Sequence, residues 1–378
     1  MTASKMTIGV PRERKTLEQR VALTPDGAAE LVKHGHTVLI ETNAGQKSHF
    51  EDAQYTQAGC KIVSTLAEVW NSSNMVVKVK EPHEEEFQYF RKDLILFDYL
   101  HLASMPDVTK AMLDGQVTGI AYELVKTPEG RLPLLEPMSE VAGKLSVLNG
   151  SYFLLGQNGG RGVLLGGTVG VLPAKVVIVG AGIAGRCACE VALGMGADVS
   201  VLDVNYAKLD HIRVQTAGRA RTVHSTKASL EREVQTADLL IGAVLIPGAA
   251  APKLITRAMI KSMKKGAVFV DISIDQGGCG ETIKPTNLDA PTFVEEGVIH
   301  YGVCNMPAQT PRTSTQALTA ATLPYVLKIA NHGGLAALDT FAELRGALNT
   351  HYGMLTNHEV SEATGFRYIS IEEALKKK

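Results

Sequence analysis

The sequence predicts an α/β protein built from two doubly wound, mostly parallel sheets. Two observations carry this. Short apolar, β-rich runs alternate with helical stretches through the first third of the chain, and the same alternation starts again at Lys175. Strands interleaved with helices in this way form a parallel sheet covered on both faces. In addition, a glycine turn of the form G-x-G-x-x-G follows the first strand of the second series directly, where a strand hands over to a helix.

In chain order, Thr7–Val10 is the first strand, followed by a basic loop from Arg12 to Arg20. Thr24-Pro25 opens a helix, with Thr24 as N-cap and Pro25 at the first helical position, and Gly35 closes it. Strands are then expected at Thr37–Glu41, Met75–Val79, Leu94–Phe97 and Val117–Tyr122. A glycine-rich stretch, Gly156–Val171, reads as a loop before the second sheet. That sheet takes strands at Val176–Val179, Asp198–Leu202, Thr222–His224, Leu239–Val244, Ala267–Ile274 and Val298–Val303. From Thr313 the pattern is helical to the end, and a helix at Ser314–Ile329 is expected to return to the first domain. The resulting division is a substrate domain, 1–133 plus 312–378, into which a cofactor domain, 134–311, is inserted.

The chain of 378 residues carries 38 Lys+Arg against 39 Asp+Glu, a net charge of −1. Such a balance supplies no field to hold nucleic acid or an anionic membrane. Hydrophobic residues make up 45% and charged residues 20%, enough to bury cores and too apolar for a disordered chain. Cys60, Cys187, Cys189, Cys279 and Cys304 form no C-x-x-C pair, so neither a disulfide framework nor a zinc site is expected. No histidine spacing suggests a metal. The stretch MTASKMTIGVPRERK lacks the apolar centre of a secretory signal. The longest apolar run, Ala237–Ile255, is broken by Gly242, Pro247, Gly248 and Pro252, and reads as a strand, a turn and a helix start. The expectation is a soluble, cytoplasmic protein with reduced thiols.

Gly180, Gly182 and Gly185 form the glycine turn between the strand VVIV and a helix from Ile183 to Leu193, and Asp203 ends the next strand. This context points to a dinucleotide fold. The glycines let a pyrophosphate approach the helix N-terminus. The carboxylate of Asp203 can accept from both ribose hydroxyls and would repel a 2′-phosphate, which favours NAD over NADP. Four ionisable residues stand at strand ends, where open α/β sheets bind ligands. Arg20 lies in the loop after the first strand, Lys80 follows VVKV, His101 follows LILFDYL and Asp275 ends AVFVDISI. So placed, all four can face one cleft. Cys279 reads as a small residue in a turn.

Several blocks in order, among them GVPRERKTLEQRVALTP, KVKEP, HLAS, PMSEVAG, GAGIAG, VLDVN, DISIDQGG and NMPAQTPRTST, resemble the NAD-dependent alanine dehydrogenases. That family shares its fold with the NAD-binding part of proton-translocating transhydrogenases. The resemblance implies two Rossmann-like domains and the reversible oxidative deamination of L-alanine to pyruvate and ammonia. It implies that Arg20 binds the substrate carboxylate, that Lys80 binds the same carboxylate or the keto oxygen, that His101 moves protons, and that Asp275 stabilises the cationic imine and helps activate or orient water. Cofactor contacts implied in the same way are Ser139, the Gly180–Gly185 turn, Asp203, Lys208, Ser225, Val244, Leu245, Asn305 and Met306. Lys208 stands where the family often has Arg. Met138 and Met306 would wall the substrate, with Glu123 and Gln276 as further candidates. A homo-oligomer, specifically a hexamer, is also expected on this basis.

Overall fold

The structure is a computed structural model and describes residues 5–244 and 251–376. The chain forms two compact units, Met1–Met138 with Ala308–Lys378 and Ser139–Pro307, so the second interrupts the first. In chain order the strands are β1 (Thr7–Val10), β2 (Thr37–Glu41), β3 (Lys61–Val63), β4 (Met75–Val77), β5 (Ile95–Asp98) and β6 (Thr118–Ala121). They continue with β7 (Lys175–Val179), β8 (Asp198–Asp203), β9 (Arg221–His224), β10 (Leu239–Gly242) and β11 (Val268–Asp271). The last are β12 (Thr292–Glu295), β13 (Val298–Tyr301), β14 (Leu348–His351) and β15 (Met354–Leu355).

The first unit holds one sheet in the order β15-β14-β6-β5-β4-β1-β2-β3. Strands β1 to β6 run parallel, and β14 and β15 are added antiparallel at the β6 edge. The second unit holds a sheet in the order β12-β13-β11-β10-β7-β8-β9, parallel apart from β12. In both, the chain runs outward along three strands, returns past the first, and builds the other half. The strand order therefore reverses between β1 and β4 in one unit and between β7 and β10 in the other. Crevices for ligands open at such points, beyond the carboxyl ends of the strands.

The central strands are apolar because helices cover both faces. Val176–Val179 and Leu239–Gly242, for instance, are buried throughout. The helix Pro25–Lys33 starts as its sequence predicts, with Thr24 Oγ1 accepting the Gly27 N–H at 3.2 Å. The helix Pro311–Asn331 returns to the first unit. There Thr315 and Thr319 accept the peptide N–H groups of Val21 and Thr24, at 3.1 and 3.2 Å.

Three expectations are corrected. The segment after Thr313 is not helical throughout. β14 and β15 extend the first sheet, and buried Thr350 of β14 finds a distant partner, its Oγ1 donating to Val117 O at 2.9 Å. The strand expected over Ala267–Ile274 stops at Asp271, whose side chain accepts the Ser273 N–H at 2.9 Å and turns the chain into a 3-10 helix, Ile272–Gln276. Asp275 therefore lies one turn beyond the strand, not on its last residue. The helix Glu136–Phe153 was not foreseen, because its glycines and serines blur the apolar stripe.

Candidate functional site

In the first unit, Arg20, Lys80 and His101 all come from carboxyl ends of neighbouring strands at or beside the β1/β4 reversal. Arg20 is 2% exposed. Its Nε and Nη2 donate to Glu18 at 2.7 and 2.6 Å, and its Nη1 reaches the Met138 sulfur at 3.0 Å. Burial pulls the guanidinium pKa down, but the Glu18 charge and hydrogen bonds outweigh it and leave it raised. Arg20 is thus a permanent cation in a preset orientation.

The loop carrying Arg20 is fastened along its length. The Arg12 N–H donates to Glu41 at 2.8 Å, Arg14 pairs with Glu41 at 2.6 Å and with Glu85 at 2.8 Å, and Lys15 pairs with Glu81. Burial pushes Glu81 toward its acid form, yet the Lys15 hydrogen bond and the Lys80 charge prevail and lower its pKa.

Beneath Lys80 lies a set of buried ionisable groups. Lys78, at the same strand end, is 2.9 Å from Glu86 and 3.6 Å from Glu13. Burial works against its charge, and Glu13 and Glu86 overcome this and raise its pKa. Glu13 accepts the Val79 N–H at 2.6 Å. Asp98 on β5 is fully buried with both carboxyl oxygens lacking a hydrogen-bond partner, and burial holds its pKa well above the carboxylate range.

His101 occupies left-handed backbone, φ 48° and ψ 34°, which is rare for a residue with a Cβ. Its peptide N–H donates to Glu123 at 2.7 Å, and its ring stacks on Tyr99 with centroids 5.8 Å apart and planes within 3°. Tyr99 in turn donates to the Leu134 carbonyl. The imidazole remains part-exposed.

In the second unit, each glycine of the turn has its own reason. Gly180 has φ 109°, and a Cβ there would meet the Ala243 carbonyl at the β7/β10 reversal. A Cβ at Gly185 would run into the Gly180 carbonyl, so the third glycine lets helix and strand pack. At Gly182 nothing lies within 4 Å, which leaves the helix N-terminus open to an approaching group. Asp203, at the end of β8, accepts the Ala181 N–H at 2.7 Å through Oδ2 and the Asn205 N–H at 2.7 Å through Oδ1. The acidic residue and the turn are therefore locked to one another. These residues fit a dinucleotide.

Of the remaining expected contacts, Ser225 and Val244 stand next to this turn. Ser225 donates its N–H to the Asp203 carbonyl at 3.0 Å. Val244 donates to Ser273 Oγ at 3.0 Å, and Leu245 lies outside the described residues. Ser139 is one helical turn before Gly143, where a Cβ would strike the Ala184 backbone, so its helix runs close against the start of the dinucleotide helix. Lys208 is exposed in the first turn of the helix Tyr206–Gln215. Asp275 is exposed and accepts the Asn305 N–H, its oxygens 3.2 and 3.4 Å away. Asn305 has φ 57°, and Met306 beside it is buried. Cys279 is buried against Asp271, and burial raises its thiol pKa far above the reactive range.

The structure thus brings Arg20, Lys80 and His101 together in the first unit, and the glycine turn, Asp203, Ser225 and Val244 together in the second. Asp275 joins Asn305 and Met306 there. Sequence reasoning missed Glu13, Glu18, Lys78, Asp98 and Tyr99. The only signal for them was their position two to seven residues from a candidate.

Residues 9–142 match the N-terminal domain of the alanine dehydrogenase/PNT family and residues 146–358 match its C-terminal domain. Alanine dehydrogenase 2 of Staphylococcus aureus is 52% identical over 371 residues, covering 98% of this chain and 100% of the relative. Alanine dehydrogenase of Staphylococcus saprophyticus is also 52% identical, over 372 residues, with the same coverage. A solved L-alanine dehydrogenase superposes with a TM-score of 0.92 at 47% identity over 95% of this chain and 99% of that one. A transhydrogenase from Sinorhizobium meliloti shares the fold, with a TM-score of 0.79 at 24% identity over 93% of this chain and 99% of that one. On full-length sequence and structure alike, the chain belongs to the alanine dehydrogenase/PNT family.

Proposed function

We propose that the protein is an NAD-dependent enzyme that oxidises L-alanine to pyruvate and ammonia, reversibly. The observation that carries this reading is the convergence of Arg20, Lys80 and His101, a carboxylate-binding pair beside a proton carrier, on a chain that also holds a complete dinucleotide turn. The first unit is the substrate domain and the second the cofactor domain. Gly180, Gly182 and Gly185 admit the pyrophosphate. Asp203 takes the ribose hydroxyls and makes NAD the preferred cofactor. Ser139, Lys208, Ser225, Val244, Leu245, Asn305 and Met306 complete the cofactor surface.

Bound NAD supplies the hydride acceptor for the alanine Cα. Arg20 and Lys80 hold the substrate carboxylate, Arg20 through two parallel N–H donors and Lys80 as a point charge. Asp275 offsets the positive imine left on the substrate and orients the water that attacks it. His101 takes a proton from that water, then returns it to the departing nitrogen, so that pyruvate and ammonia result.

A homo-oligomer fits the apolar side chains left exposed in the second unit, among them Leu164 (65% exposed) and Leu172 (89%). The family suggests a hexamer, which light scattering tests directly. Among the described residues no helix is long and apolar enough to cross a membrane, which is compatible with a cytoplasmic location. The decisive experiment follows NADH absorbance with L-alanine and NAD⁺, beside NADP⁺, D-alanine, glycine and lysine. Signal confined to L-alanine with NAD⁺ supports the reading, and its absence despite NADH binding removes it.

A further inference from the structure

We propose that Glu13 is a positioning residue of the substrate site, clamping the end of β4 to the Arg20 loop and so fixing where Lys80 presents its ammonium. The inference rests on the proposed role of Arg20 and Lys80 in holding a carboxylate.

Strand β4 ends at Val77, so Val79 and Lys80 lie beyond the sheet ladder. One side chain bonds the peptide N–H groups of both. Glu13 Oε1 accepts from Val79 at 2.6 Å, and Oε2 lies 3.4 Å from the Lys80 nitrogen. Glu13 belongs to the same loop as Arg20, seven residues earlier. A single carboxylate therefore ties both carboxylate-binding residues to one frame, and loss of it would free the Lys80 backbone relative to Arg20.

The plainer account makes Glu13 a counter-ion of Lys78. The distances argue against that as its main work. Lys78 already has Glu86 at 2.9 Å, whereas Glu13 is 3.6 Å away and makes its short contact with the Val79 peptide. The groups that face Glu13 are Glu18 and Arg20 from its own loop, Lys78 just beyond β4, Glu86 from the segment after it, Asp98 from β5 and Tyr122 after β6. With its side chain 3% exposed among these, burial lifts the Glu13 pKa to about 7, Lys78 pulling it back and Glu18 and Glu86 pushing it further. The Val79 N–H would be left unpaired in the interior without this carboxyl, and that cost holds Glu13 in place.

The test compares Glu13→Ala with Glu13→Gln, whose amide oxygen can still accept from Val79. In the pyruvate-reducing direction Glu13→Ala should raise KM for pyruvate about tenfold or more, as expected for a displaced binding group, with kcat and the NADH dissociation constant within about threefold of wild type. Glu13→Gln should restore KM to within about threefold. Hydrogen exchange at the Val79 and Lys80 amides should be faster in Glu13→Ala and protected in Glu13→Gln.

An unchanged pyruvate KM in folded Glu13→Ala overturns the proposal. So does equal loss of pyruvate and NADH affinity, or a Glu13→Gln as damaged as Glu13→Ala. If the wild-type protein turns over neither alanine nor pyruvate, the proposed function fails by itself. The exchange pattern then decides the clamp alone, with unaltered protection in Glu13→Ala counting against it.

Discussion

The Glu123 carboxylate holds His101 in left-handed backbone: its Oε1 accepts the His101 peptide N–H at 2.7 Å and stands 3.8 Å from the imidazole Nδ1. A residue with a Cβ in that region carries of order 1 kcal/mol of strain or more, which the Glu123 bond helps to offset. That strain falls on His101 itself, whose ring is the proposed proton carrier.

Removing either partner therefore has separable effects. His101→Ala should lower kcat by about a hundredfold or more while leaving NADH affinity unchanged, since it removes the proton carrier. Glu123→Ala should lower kcat by roughly tenfold through misaiming, and Glu123→Gln by less, because an acceptor for the peptide N–H remains. Steady-state kinetics beside NADH fluorescence titration check this. Equal loss of both parameters in the His101 variant would remove its assigned role.

The glycines of the dinucleotide turn should divide into one that serves stability and one that serves binding. Gly185→Ala forces a methyl against the Gly180 carbonyl and should destabilise the protein by about 1–3 kcal/mol. Gly182→Ala meets no atom within 4 Å, so its melting temperature should stay near wild type while NADH binding weakens. Calorimetry and isothermal titration on the two variants distinguish these outcomes.

Asp203→Ala should weaken NADH about tenfold or more and narrow its advantage over NADPH, because the charged acceptor proposed to exclude a 2′-phosphate is gone. Dissociation constants for both nucleotides measure it. An unaltered preference would place cofactor discrimination elsewhere.

Stability should fall with rising pH on account of Asp98. Burial raises its pKa well above the ordinary 3.8, so the native state prefers the protonated form. Between the unfolded and folded values, each pH unit then costs about 1.4 kcal/mol of stability from this group. Asp98→Asn has no such proton to lose. It should melt above wild type near about pH 8, with the difference closing toward about pH 4. A variant that melts lower at the higher pH would mean that Asp98 is ionised and bonded in the native state.

The parts of the fold legible in the sequence are those with local causes. Buried parallel strands leave continuous apolar runs such as VVIV, and Thr24-Pro25 marks a helix start by its own chemistry. Arg20, Lys80 and His101 were legible because each follows such a run. β14 was not: its polar Thr350 is buried only because Val117, 233 positions away, receives it. The end of β11 was likewise hidden, since Asp271 turns the chain through contacts with Ser273 and Cys279 that an apolar pattern does not encode. Glu13 and Glu18 look like ordinary charges in a basic loop until the fold buries them.

The loop from Arg12 to Arg20 is fixed to Glu41, Glu85, Glu81 and the helix Pro311–Asn331 before any ligand arrives. Its conformational entropy is lost when the chain folds, so binding a carboxylate leaves little ordering to be done and the contact energy emerges as affinity. The same arrangement creates two classes of sensitivity to ionic strength. The pairs of Arg14 with exposed Glu85 and of part-exposed Lys15 with Glu81 loosen as salt screens them, while the buried Arg20–Glu18 pair does not. High salt would therefore slacken the frame around a guanidinium whose own partner stays in place.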